Sequence, residues 1–194
     1  LSFTEKVYAT LCDGKPAREV QPQNDDERQW ARELQLLSMK PVLYVCNVAE
    51  GDLPAGNAHV EAVRDLARRQ GAGVVVVCAK IEEELVGLDA GDRLEMLSSY
   101  GLEEPALNLL VRAAYDLLGL QSYFTAGEKE VRAWTIHRGD TAPQAAGVIH
   151  SDFERGFIRA NVYTVEDLEE HQTESAIRAA GKLRAEGKDY VMQD

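Results

Sequence analysis

Val42-Leu43-Tyr44-Val45-Cys46-Asn47-Val48-Ala49-Glu50 is an apolar run, strand-like in composition, that ends in an Asn with a carboxylate three residues on. A second apolar run, Val74-Val75-Val76-Val77, ends in Cys78-Ala79-Lys80. Such near-continuous β-branched runs fit parallel strands buried on both faces. Between them, His59 to Arg69 repeats Val60, Val63, Leu66 and Ala67 on one helical face, and Gly71 stops the helix. Strand, helix and strand in this order predict an α/β fold with a parallel sheet.

In such sheets ligands bind outside the carboxyl ends of the strands. Asn47 and Cys78-Ala79-Lys80 both fall there. An Asn amide can meet a purine N7 and the neighbouring exocyclic group. A carboxylate three residues on can reach the far edge of the same base. Guanine presents two donors on that edge, which an Asp accepts together; Glu50 is one methylene longer and fits them less well. Val48 stands where guanine-binding sites carry a Lys beside the base, and its backbone can read N6 and N1 of adenine. Ala79 offers a backbone N–H to the base, and Lys80 the stem of its side chain as a wall. Taken singly, each motif reads more readily as structure, since Asn after a strand is a common turn residue; paired at consecutive parallel strand ends, the structural and nucleotide readings weigh equally. A phosphate-binding G-x-x-x-x-G-K-[ST] loop is not present in these 194 residues.

Composition narrows the alternatives. A net charge of -12 argues against a simple electrostatic grip on nucleic acid, and DNA is not an expected partner. No apolar run approaches the roughly 18 residues that span a membrane, and no signal peptide is visible, so a cytoplasmic protein is expected. Three cysteines, at 12, 46 and 78, give neither a disulfide frame nor zinc-ligand spacing. Leu1 in place of Met, and an apolar run just begun at Tyr190-Val191-Met192, predict a piece of a longer chain.

Outward from the two strands, Phe3, Val7, Tyr8 and Leu11 sit at helical spacing before Asp13-Gly14-Lys15-Pro16. Asn24 or Asp25 can cap a second helix with Trp30, Leu34 and Leu37 on one face. Asp92–Tyr100 and Pro105–Leu118 read as helices, the latter carrying Leu107, Leu110, Val111, Ala114 and Leu118 inward. Glu82-Glu83-Glu84 reads as a solvated helix start. After Gly119 the pattern becomes α+β. Glu130–Ile136 and Phe157–Val162 alternate as strands, with Trp134 and Phe157 as core. Helices open at Asp140-Thr141-Ala142-Pro143, at a capping box Thr164-Val165-Glu166-Asp167, and at Thr173. His137 and His150 read as surface or packing residues rather than metal ligands.

Several stretches together resemble the YchF subfamily of Obg-related P-loop NTPases. They are Lys40–Glu50, Cys78-Ala79-Lys80-Ile81-Glu82, Leu118–Gly127, Lys129–Ile136 and Thr141–Ala160. The resemblance covers nearly the whole chain, and its long segments are far more specific than the two base-reading motifs. It implies the end of a helical, coiled-coil-like arm over residues 1–34 and the C-terminal half of a P-loop NTPase domain over 35–119. A TGS domain of β-grasp type would follow over 120–194, with its last strand missing. It implies a protein that binds the ribosome, on the large subunit and its rRNA, and hydrolyses ATP in preference to GTP with Mg²⁺. The family's Asn-x-x-Glu variant matches Asn47 and Glu50; Cys78 departs from its usual Ser. The base would be read by Asn47, Val48, Glu50, Cys78, Ala79 and Lys80. Arg132, Arg138, Arg155 and Arg159 are candidate RNA contacts. No catalytic residue and no metal ligand is assigned in this chain, because hydrolysis depends on phosphate positioning and charge neutralisation by motifs that these residues do not contain. A GTP-binding protein of ordinary specificity and a non-catalytic RNA- or ribosome-binding module remain alternatives.

Overall fold

A computed structural model of the chain describes residues 2–127 and 130–193. Leu1, Glu128, Lys129 and Asp194 lie outside the described residues, and with them the first residue of the Lys129–Ile136 stretch and the outer limits of the ranges 1–34 and 120–194. The chain divides into two compact units, Leu1–Leu118 and Gly119–Asp194.

The first unit opens with α1 (Phe3–Cys12), started by a capping box in which Ser2 Oγ accepts the Glu5 N–H and Glu5 accepts the Ser2 N–H. Helix α2 (Asp25–Leu34) is capped by Asn24. Phe3, Val7 and Ala17 form a small core with Val20, Ala31, Leu36 and Met39. The expected inner face of α2 is not buried: Trp30 and Leu34 are exposed, and Leu37 lies beyond the helix. Gln35, in the left-handed region at φ 46°, ends the helical register before Leu37 is reached.

Strand β1 (Leu43–Asn47), helix α3 (Ala58–Gln70) and strand β2 (Gly73–Val77) form a β-α-β unit. The strands are parallel, in register from Leu43↔Gly73 to Asn47↔Val77. Asn57 caps α3 through the His59 and Val60 N–H groups, and Gly71 at φ 62° ends it. A Cβ at Gly73 would lie 2.8 Å from Leu43 Cδ1, so a larger residue there would make the Leu43 side chain turn aside. Helices α4 (Ala79–Leu85), α5 (Ala90–Ser99) and α6 (Ala106–Leu118) follow. Cys78, Ile81, Leu85 and Leu97 are the buried core here, with Leu53, Leu88, Met96, Tyr100 and Leu102 against them. Both α3 and α6 pack on the β1–β2 pair.

Two expectations change in this unit. Leu107, Val111 and Leu118 of α6 are exposed, while Ala106 is buried. The helix is apolar around much of its circumference, so periodicity alone does not choose its inner face. Glu82 is not a solvated helix start. Its Oε1 accepts the Ala106 N–H at 2.7 Å and its Oε2 the Leu107 N–H at 3.4 Å, capping α6 from α4.

The second unit begins with β3 (Leu120–Ala126) and β4 (Val131–His137), an antiparallel pair. Helix α7 (Ala142–Ile149) packs on β4, and the Tyr123 hydroxyl donates to Ala145 O at 2.8 Å. Helix α8 (Ser151–Arg155), strand β5 (Ala160–Val162), helices α9 (Val165–His171) and α10 (Glu174–Ala179) and strand β6 (Arg184–Glu186) complete it. Strands β5 and β6 are antiparallel, and Thr141 bridges to Val191. The chain is α/β in its first unit and α+β in its second, with hairpin, helix and returning strands in β-grasp order. Thr164 opens α9 with the expected capping box.

Strand β3 was not legible as a strand, and the expected strand at Phe157–Val162 shortens to three residues. Gly156 ends α8, and Ile158 is exposed, so the alternation there does not track burial. Trp134 and Phe157 are half-buried rather than core. Ile136, Ala142, Ala145 and Ile177 are the buried apolar residues of this unit.

Candidate nucleotide-base site

The two sequence motifs meet. Parallel pairing sets the end of β1 beside the end of β2, and the Val48 N–H donates to Val77 O at 2.9 Å, extending the ladder by one bond. Asn47 Oδ1 accepts the Ala79 N–H at 3.0 Å. The cause is local. Helix α4 starts at Ala79 with free N–H groups, and its N-cap, Cys78, supplies no side-chain acceptor. Asn47 caps it from the neighbouring strand. The N–H that Ala79 was expected to offer to a base is therefore engaged by Asn47. The NH₂ of the Asn47 amide is the part left to meet a purine N7. The Cys78 side chain is buried in the core with Ile81, Leu85 and Leu97, so only its backbone is available to a ligand.

Glu50 opens a 3₁₀ turn, Glu50–Asp52, three residues after Asn47. Its Oε1 pairs with Lys80 Nζ, and its Oε2 accepts the Tyr100 hydroxyl at 3.2 Å. The hydrogen bond from Lys80, seconded by that from Tyr100, holds the Glu50 carboxyl below the usual carboxylate range. The bond to Glu50 raises Lys80 and, likewise, Tyr100. Lys80 also has Glu84 at 3.9 Å. Asn47, Val48, Glu50, Ala79 and Lys80 thus form one connected constellation at the strand ends.

The comparisons with known proteins agree along the whole chain. The YchF "ribosome-binding ATPase" of Pasteurella multocida (strain Pm70) is 46% identical over 194 residues, covering 100% of this chain and 53% of its own. The protein of the same name in Bacillus subtilis (strain 168) is 48% identical over 182 residues, covering 93% of this chain and 50% of its own. The solved structure of the Schizosaccharomyces pombe YchF GTPase superposes with a TM-score of 0.81 at 35% identity, covering 99% of this chain and 51% of that one. The family model YchF-GTPase_C, described as a protein of unknown function (DUF933), matches residues 120–194.

The chain matches YchF proteins over its whole length. It spans about half the length of the curated relatives it matches.

The four arginines of the C-terminal unit lie on separate segments, and all are exposed. Arg132 in β4 sits over the Trp134 ring at 4.1 Å, with Glu130 at 3.6 Å. Arg138 follows β4, Arg155 ends α8 and Arg159 precedes β5. His150 caps α8 by accepting the Asp152 N–H on Nδ1 at 3.2 Å, a structural role. Among the described residues no group of three or more His, Cys, Asp or Glu is arranged to hold a metal ion, and no helix is long and apolar enough to cross a membrane.

Tyr100 is the site residue that the sequence did not reveal. It lies 50 residues from Glu50, after α5, and belongs to no local motif. The hint available was an aromatic residue directly before Gly101, at the expected end of the Asp92–Tyr100 helix.

Proposed function

We propose that Asn47, Val48, Glu50, Cys78, Ala79 and Lys80 form the base site for ATP, and that the chain serves a protein that binds the ribosome and hydrolyses ATP. The carrying observation is the tie between Asn47 and Ala79, which joins two base-reading motifs at adjacent parallel strand ends. The printed names of its relatives support ribosome binding and ATPase activity. The base contacts are the Asn47 NH₂ on N7, the Val48 carbonyl on N6, since the Val48 N–H is engaged by Val77 O, and the Lys80 stem against the ring. Phosphates and Mg²⁺ would be held by residues that this sequence does not carry, so the chain by itself binds nucleotide weakly and hydrolyses none. GTP binds more weakly than ATP.

The ribosomal contact is assigned to the large subunit and its rRNA through Arg132, Arg138, Arg155 and Arg159 in the second unit, with the protein acting in the cytoplasm. Nucleotide hydrolysis would switch the protein between ribosome-bound and free states. Co-sedimentation of the chain with separated ribosomal subunits tests the first part. Pelleting with the large subunit, reduced by Arg132→Ala and Arg159→Ala, is expected; no pelleting with either subunit contradicts it. Reading the coding sequence upstream of Leu1 tests the second, and absence of a Gly-rich Lys-Ser/Thr loop there would sink the ATPase assignment.

A further inference from the structure

Glu50 holds the position from which a carboxylate reads guanine, yet both of its oxygens are engaged within the protein. Oε1 pairs with Lys80, and Oε2 accepts from Tyr100 at 3.2 Å. The two partners differ in how firmly they are held. The Lys80 side chain is 66% exposed and has a second acid, Glu84, within reach. Tyr100 is anchored. It is the C-cap of α5, its N–H donates to Leu97 O at 3.1 Å, and its ring packs against the core of Cys78, Ile81, Leu85 and Leu97. Its hydroxyl is thus a donor fixed by the core and aimed at one carboxylate oxygen.

Guanine offers N1–H and N2–H side by side, and a carboxylate meets them only by turning both oxygens to the base together. Adenine offers no such pair on that edge. Resting on the base-site reading above, we propose that Tyr100 is a specificity-positioning residue: its hydroxyl holds Glu50 against Lys80 and withholds it from guanine. Glu50 then acts on the base indirectly, by fixing the Lys80 stem as the wall of an adenine site. Tyr100 touches no nucleotide. Its effect on binding is a change in ratio between bases rather than a loss of affinity for both. The lowered Glu50 carboxyl fits this arrangement, because the hydrogen bonds from Lys80 and Tyr100 both favour its charged form.

The test is an NMR titration of the chain with adenosine and, separately, guanosine, following the Val48, Ala79 and Lys80 amides. Nucleosides remove the phosphates from the comparison. The unaltered chain is expected to bind adenosine more tightly. Tyr100→Phe, which keeps the ring and loses the hydroxyl, is expected to narrow the adenosine-to-guanosine ratio about fivefold, mainly through tighter guanosine binding. In a Glu50→Gln background the same change is expected to have no further effect. An unchanged ratio in Tyr100→Phe, with discrimination intact in the parent, overturns the role of Tyr100 and leaves the base site standing. Failure of either nucleoside to move these amides in the parent overturns the base site and this proposal with it. If Tyr100→Phe loses its folded spectrum, Tyr100→Leu is the second variant; unfolding of both assigns Tyr100 to packing alone and also overturns the proposal.

Discussion

Asn47 Oδ1 accepts the Ala79 N–H at 3.0 Å, and this bond ties the end of β1 to the first turn of α4. Asn47 thereby caps a helix across a strand gap, and in the proposed base site its NH₂ would meet the base. Asn47→Ala removes both. The expected loss is about 1 kcal/mol of stability in the first unit, the usual cost of an unmade helix cap. Urea unfolding followed by the amide signals of residues in the first unit measures it. Asn47→Asp keeps the acceptor but lacks the donor, so it is expected to retain stability and lose adenosine binding.

Glu82 is a second cap in the same unit, holding the start of α6 with both carboxylate oxygens. Glu82→Ala is expected to destabilise by about 1 kcal/mol, and Glu82→Gln by less, since one oxygen remains. A differential scan of thermal unfolding reads the order of the two. No loss for Glu82→Ala would return the acid run to the solvated surface.

Base preference is expected to follow two side chains. The double change Val48→Lys, Glu50→Asp supplies the flanking cation and the shorter acid that suit guanine. It also moves the carboxylate away from Tyr100. Calorimetric titration is expected to show binding shifting towards guanine nucleotides, by roughly tenfold in the ratio, of the order of one charged hydrogen bond. An unchanged ratio would mean that these side chains do not set the preference.

In the second unit, the Thr164 backbone N–H, at 3.3 Å, holds the Asp167 carboxyl below its usual range, aided by Lys182 at 3.5 Å. A carboxyl depressed by folding stabilises the folded state above its unfolded-state pKa. That contribution is lost as pH falls through the lower folded value. Asp167→Asn is therefore expected to flatten the acid limb of stability against pH for this unit while leaving its slope near neutral pH unchanged. Acid unfolding monitored by circular dichroism checks the sign. A steeper acid limb would contradict the assignment.

Legibility in the sequence followed the locality of the cause. Strands β1 and β2, helix α3 and the Thr164 cap were readable because runs, periodicity and turn residues lie side by side in the chain. Strand β3 was not, because Leu120–Ala126 carries Gln121, Ser122 and Thr125 among its apolar residues and gains its ladder only by pairing with β4. The buried Gln121 is satisfied by Met192 O at 3.1 Å, a partner 71 residues away. The inner face of α6 was hidden for the same reason, since the sheet and Glu82 choose among several apolar faces. At the base site the motif residues were legible as types, but the capping of Ala79 by Asn47 and the hold of Tyr100 on Glu50 depend on long-range contacts that no spacing encodes.

Amide shift mapping of the labelled chain with ATP, and with GTP as the comparison, tests the account most directly. It predicts that the largest ATP-induced shifts fall on the Asn47 side-chain NH₂ and on the Val48, Ala79 and Lys80 amides, with a weaker response to GTP. Shifts confined to other segments, or tighter binding of GTP at these same residues, would contradict it.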